Sequence, residues 1–297
     1  MVQIGMGSII DRITEKYGLD SGESELFREY TANRFAGCNA APPEEPDLAP
    51  WERIAELAGT AGAAEIINSK LCPKYPVEYV SPGTVKIEIY DSFAGRIPVI
   101  SAENEHDFEQ LVTNIVHKGV RPANISKTGA SFVSGKTVRF IILSAKPYSN
   151  VPARELGLGE REWAEKSLLV RRSHECTHYF TKQTYGIANN ILHDELMADL
   201  IGLYDAFGYY RAEWFLRFMG VIEGGGGRLI VYTSGLPERV RAAVTELVSE
   251  AAYSLEEWTR TERFAELSDA ERIKLMCAAG TEGMAEGRLS SLQRGDR

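Results

Sequence analysis

Near the start of the chain, apolar side chains return every three or four positions: Ile9, Ile10, Ile13 and Tyr17, then Leu26, Phe27 and Tyr30. That period predicts helices over Ser8–Tyr17 and Glu23–Arg34, stopped by Gly18 and Gly37. Pro42, Pro43, Pro46 and Pro50 predict an extended link from Ala40 to Pro50, with a third helix following from Trp51 into Ala64. Over Thr84–Tyr90 the period changes to two, with Val85, Ile87 and Ile89 alternating against polar neighbours, which predicts a half-buried strand. Arg96–Ile100 reads as a short strand, and Pro98 within it suggests a sheet edge. Glu103–His117 returns to helical spacing, with Phe108, Leu111, Val112 and Ile115 on one face. Thr137–Ser144 is the strongest strand pattern in the chain. The loop Lys146–Gly159 holds Pro147 and Pro152.

Beyond that loop the pattern is helical. Helices are predicted from Glu160 to Gly186, Ile191 to Phe207, Tyr210 to Met219, Glu238 to Thr259 and Asp269 to Cys277. Trp214, Phe215 and Phe218 are read as core. Gly224 to Gly227 form an unbroken glycine run that fits either a flexible connection or a mobile lid. The tail from Gly287 to Arg297 is polar and expected to fray. These elements predict an α+β protein. Its parts would be an N-terminal α/β region (residues 1–120) and a core (121–297), or both packed as one unit.

One helix carries chemistry. His174-Glu175-Cys176-Thr177-His178 is an H-E-x-x-H signature. Residues four apart share a helix face, so His174 and His178 can offer two imidazole nitrogens to one metal. Glu175 is rotated by about 100° from His174, which aims its carboxylate at a water beside the metal. Such a site needs a third protein ligand, and Glu195 on the next helix can supply it. Asp199, four residues further, shares that face and can accept the free N–H of a ligating histidine. The donor set is that of zinc, Zn2+. The plain alternative is a surface helix with two solvated histidines. Cys176 points about 200° from His174 and is expected in the core. His193, two residues before Glu195, points away from its face, and His106 and His117 have no ligand spacing.

The two segments, His174 to Thr181 and Asp194-Glu195-Leu196-Met197-Ala198-Asp199-Leu200-Ile201-Gly202, resemble the HExTHxxT and NExxSDxxG motifs of gluzincin zinc metallopeptidases of thermolysin type. The resemblance covers about thirty residues, roughly a tenth of the chain. It implies a zincin-like core: a small sheet, an active-site helix and a following ligand helix. It implies that His174, His178 and Glu195 bind zinc, that Glu175 is the general base, and that Asp199 supports a ligand. It also implies that the strand before the zinc helix borders the cleft and pairs with an extended peptide. A central core strand is the other reading of Thr137–Ser144. The chain departs from the pattern in one respect. Thermolysin-like enzymes place a further histidine well after the second motif to stabilise the oxyanion, and no histidine follows His193 here, so the stabiliser is another donor or is absent. Tyr185, Tyr204, Tyr209, Tyr210, Tyr232 and Arg228 are the candidates for that role, Tyr232 and Arg228 foremost.

Composition narrows the partners. The 297 residues carry 42 acidic and 33 basic side chains, a net charge of −9, with no basic block. That argues against nucleic acid as a partner. No apolar run reaches the length of a membrane span, and Met1 to Asp11 lacks the features of a secretory signal. Cys38, Cys72, Cys176 and Cys277 form no C-x-x-C pair, and free thiols in the cytoplasm are the expectation. The function expected is hydrolysis of peptide bonds by a metal-activated water. The alternatives are a zinc hydrolase or tailoring enzyme acting on a non-peptide amide, or a non-catalytic interaction protein on the same scaffold. An intact Glu175 argues against the last.

Overall fold

A computed structural model describes residues 7–41, 46–134, 139–187, 191–222 and 227–292. The protein is α+β. In chain order it runs through α1 (Ile9–Lys16), α2 (Ser21–Thr31), α3 (Ala49–Ala61) and α4 (Ala63–Ile66). Then come β1 (Lys86–Ser92), β2 (Gly95–Ala102), α5 (Glu105–Leu111), β3 (Ala130–Ser134) and β4 (Arg139–Ser144). The remainder is helical: α6 (Glu160–Tyr185), α7 (Leu192–Phe207), α8 (Ala212–Met219), α9 (Leu229–Tyr232), α10 (Glu238–Thr259), α11 (Glu262–Glu266), α12 (Asp269–Ala285) and α13 (Leu289–Leu292). Most of Gly224 to Gly227, part of the proline link and the last five residues lie outside the described residues.

The chain forms two compact units, Pro42–Gln183 and Met1–Ala41 with Thr184–Arg297. This division falls elsewhere than the boundary expected at residue 120. In the second unit the terminal helices α1 and α2 pack on α10. Lys16 Nζ bonds Glu246 Oε2 at 2.5 Å, and the buried Ile13 and Phe27 join the core. Helix α10 organises that unit. Its buried residues Val240, Ala243, Val244, Leu247, Val248, Ala251, Ala252, Leu255 and Trp258 follow the three-and-four spacing of one helix face. Helices α2, α7, α8 and α12 pack on it.

The unit Pro42–Gln183 is built on a four-stranded sheet in the order β1-β2-β4-β3. Strands β1 and β2 pair antiparallel, β2 and β4 parallel, and β3 antiparallel to β4. The sheet adds one strand, moves another from the edge and decides between the two readings of a third. Strand β3 had no sequence signal. Strand β2 is internal despite Pro98. Its ladder with β4 begins at Val99, so the missing N–H of Pro98 precedes that ladder. Strand β4 is internal too, flanked by β2 and β3, and is the central core strand. Its Phe140, Ile141, Ile142 and Leu143 are all buried, so both sheet faces are covered. One face, with Ile100, Phe140 and Ile142, packs against Trp51 of α3 and Phe108 and Leu111 of α5. The other face receives α6. Phe132, paired with Ile141, meets the ring of Tyr179 at 6.0 Å, and the Arg172 guanidinium lies 3.9 Å from the ring centroid of Tyr90.

Candidate metal centre

Helix α6 buries a stripe that is mainly polar. Ser167, Arg171, His174, Thr177, His178 and Thr181 recur at helical spacing and are all buried. An apolar side chain at these positions would gain by burial, so polar ones must be compensated locally. Thr177 Oγ1 donates to the Ser173 carbonyl at 2.9 Å, and Thr181 Oγ1 to the His178 carbonyl at 3.1 Å. The two histidines turn toward each other, with their Nε2 atoms 3.1 Å apart.

Helix α7 is buried nearly all round, yet it holds His193, Asp194, Glu195 and Asp199. Glu195 and Asp199 are 2% and 0% exposed, a burial that carboxylates sustain only with partners. Arg228, just before α9, spans both. Its Nη1 donates to Glu195 Oε2 at 2.8 Å and its Nη2 bonds Asp199 Oδ2. The Tyr232 hydroxyl, one turn further, hydrogen-bonds Glu195. Burial first, then the charge of Glu195, pushes that phenol far above its usual pKa, so it stays protonated. Tyr30 fixes the turn by donating to the Tyr232 carbonyl at 2.9 Å.

His174, His178 and Glu195 each offer one ligand atom, and these atoms lie within 4.8 Å of one another. This group can hold a metal ion. The geometry fits one. Two nitrogens at Zn–N distances of 2.0–2.1 Å in a tetrahedral shell stand about 3.3 Å apart. The two Nε2 atoms are at 3.1 Å. The set is imidazole, imidazole and carboxylate, a donor combination suited to zinc. Glu175 lies beside it in sequence and is half-buried.

Of the six side chains proposed for the oxyanion, Arg228 and Tyr232 contact Glu195. Tyr204 packs at 4.8 Å against Phe264, Tyr209 is at the surface against Trp214, and Tyr185 stands on Phe35 at 5.4 Å. Tyr210 is fully buried, and burial raises its pKa well above the usual value. His193 is outside the cluster. Its Nε2 lies 3.1 Å from the Met276 carbonyl and its ring meets Phe35 edge-on at 5.2 Å. Cys176 is fully buried, as its helical offset predicts.

Two residues of the site gave no sequence signal. The Tyr148 hydroxyl lies 2.8 Å from His174 Nδ1, although the two are 26 residues apart. Arg171, one turn before His174, caps the loop that carries Tyr148. It donates to the carbonyls of Ser144 at 2.7 Å, Pro147 at 3.0 Å and Lys146. Gly129 leaves room for it: a Cβ there would fall 2.5 Å from Arg171 Nε, so the guanidinium would have to shift.

Among the described residues no helix is long and apolar enough to cross a membrane. A family model described as a family of unknown function (DUF7005) matches residues 68–138 and 136–288. No curated protein and no solved structure matches the chain.

Proposed function

The chain belongs to a family of unknown function (DUF7005), and from the chemistry of its site we propose that it is a zinc-dependent metallopeptidase of gluzincin type. The observation that carries this reading is the convergence of His174, His178 and Glu195 at ligand distance with Glu175 beside them. A structural zinc site is closed by four protein ligands, whereas three plus a neighbouring carboxylate is the catalytic arrangement.

His174, His178 and Glu195 would hold the ion. A bound zinc supplies Lewis acidity, polarising the scissile carbonyl and favouring ionisation of a water near neutral pH. Glu175 accepts the proton of the attacking water and delivers it to the departing amine. Arg228 keeps Glu195 oriented. Tyr232 stays protonated, and its one O–H, turned from Glu195, is the neutral donor for the oxygen that becomes negative. The substrate is a peptide or related amide. Strand β4 has neighbours on both sides, so the strand that would pair with an extended peptide is β3. Among the described residues β3 has a strand on one side only, and its Phe132 packs beside the motif's Tyr179.

The test combines elemental analysis with a peptide-library cleavage screen on wild type and Glu175→Gln. Wild type should carry one zinc per chain and cleave. The Gln variant should keep its zinc and lose at least ~10²-fold in kcat, because only proton acceptance is removed. Cleavage by Glu175→Gln at the wild-type rate would remove Glu175 as the base. Absence of zinc from wild type would remove the metal reading.

A further inference from the structure

An imidazole binds a metal only through a bare nitrogen, so a ligand histidine must carry its proton on the other one. Here both Nε2 atoms converge, so His174 as a ligand must be protonated at Nδ1. What stands at that atom is a phenol. Tyr148 is 5% exposed, and its hydroxyl is at 2.8 Å. The facing Nε2 atoms at 3.1 Å add a second condition. With both rings neutral, a hydrogen bond across that contact has one Nε2 donating and the other accepting. Two arrangements satisfy both contacts. In the first, Tyr148 donates to His174 Nδ1, and His174 Nε2–H donates to His178. In the second, His174 Nδ1–H donates to the Tyr148 oxygen, and His178 Nε2–H donates to His174. Metal binding requires the His174 tautomer of the second. A carbonyl or carboxylate can only accept and would admit that tautomer alone, whereas a hydroxyl donates or accepts by rotating one bond.

We propose that Tyr148 is the positioning residue of this metal site, fixing the ring of His174 by accepting a hydrogen bond from its Nδ1–H when a zinc-like divalent cation binds. Its hydroxyl also satisfies the alternative tautomer in the metal-free protein, so neither state leaves a buried nitrogen without a partner at this contact. The scaffold around Tyr148 is built for this. Its backbone N–H donates to Ser167 Oγ at 2.9 Å, and the Arg171 guanidinium lies 5.5 Å from its ring centroid. Ser167, Arg171 and His174 are spaced by four and three on α6. One helix face therefore holds the loop and receives its hydroxyl, which sets the register between Tyr148 and His174.

The inference rests on the metal-site reading, and the experiment separates the two. Zinc affinity is measured by chelator competition on the full chain, wild type and Tyr148→Phe. Imidazole 15N spectra of both proteins are recorded with and without zinc. The Phe variant keeps the ring, so its metal-free melting temperature should stay within a few degrees of wild type. Its zinc affinity should fall by about 10- to 100-fold, the usual scale for loss of a partner that orients a ligand. The zinc-loaded wild type should show a His174 Nδ1–H protected from exchange, and the variant should lose that protection. A variant that binds zinc within twofold of wild type, or keeps a protected Nδ1–H, overturns the role of Tyr148 and leaves the metal site standing. A wild type that binds no zinc overturns both.

Discussion

At the scale of single residues, the charges around Glu195 do not balance without help. Glu195 and Asp199 lie four apart on one face of α7, both buried, and their like charges repel. Arg228 answers both with one planar fork, 23% exposed against their 3% and 0% side-chain exposure. Its removal takes the shared guanidinium from two buried carboxylates, a loss of about 3–5 kcal/mol. A divalent ion on Glu195 would restore part of that compensation. Arg228→Ala should therefore lose stability by that amount in metal-free protein and by less with saturating zinc. Arg228→Lys should fall between, since an ammonium is a point charge and cannot bridge two acids as a fork does. Urea unfolding with and without zinc checks this, and an equal loss in both conditions would refute the coupling. The sequence made Glu195 and Asp199 legible because their spacing is a helix-face pattern. It could not show that Arg228 joins them, since 33 residues separate Arg228 from Glu195 and no periodicity reports such a contact.

At the scale of elements, the glycine run before α9 shows how local chemistry places Arg228. Flexibility is the natural reading of four glycines. Gly227, the one within the described residues, has a different use. A Cβ there would lie 2.4 Å from the Gly220 nitrogen and 2.4 Å from the Met219 carbonyl carbon, both backbone atoms at the end of α8. Only glycine allows the two backbones to approach so closely. Gly227→Ala should displace the neighbouring Arg228 and destabilise by about 1–3 kcal/mol, the range for overpacking. Gly159→Ala is the control. Nothing lies within 4 Å of that position, so it should stay within about 0.5 kcal/mol of wild type. Equal melting temperatures for the two variants would show that the close approach carries no energy. Helix α10 was readable because its buried face is apolar at regular spacing. Strand β3 was not, since Ala130 to Ser134 offers only Phe132 and Val133 as strong apolar residues. On α6 the buried stripe is mainly polar, so hydrophobicity gave no sign of that face, and the signature alone marked it. Helix α5 was read as ending near His117. It passes instead into a π-helical turn over Val112–Val116, a change of winding that side-chain pattern does not encode.

At the scale of the whole molecule, the organisation depends on partners far apart in sequence. A division at residue 120 separates β2 from β4, although Val99 to Ala102 pair directly with Ile141 to Ser144. It also separates α1 and α2 from α10, the helix on which they pack. Composition gave no hint of this, because both sides of residue 120 carry ordinary mixtures of apolar and charged residues. The α+β class was legible from the change of period along the chain, but the pairing of the pieces was not. The structure predicts how fragments behave. Residues 42–183 are contiguous, hold all four strands and bury Trp51, Ile100, Phe108, Leu111 and Ile142 in one core. Residues 121–297 lack β1, β2, α1 and α2, so Phe140 and Ile142 lose part of their cover, and α10 loses two of the helices that pack on it. Exposure of several large apolar side chains removes about 1.5–3 kcal/mol each, enough together to exceed the stability of an ordinary domain. Expressed alone, 42–183 should be soluble, give dispersed amide spectra and unfold cooperatively in urea. The 121–297 fragment should aggregate or bind ANS strongly without a cooperative transition. If 121–297 unfolds cooperatively and 42–183 does not, the two-unit description is wrong and the boundary belongs near residue 120.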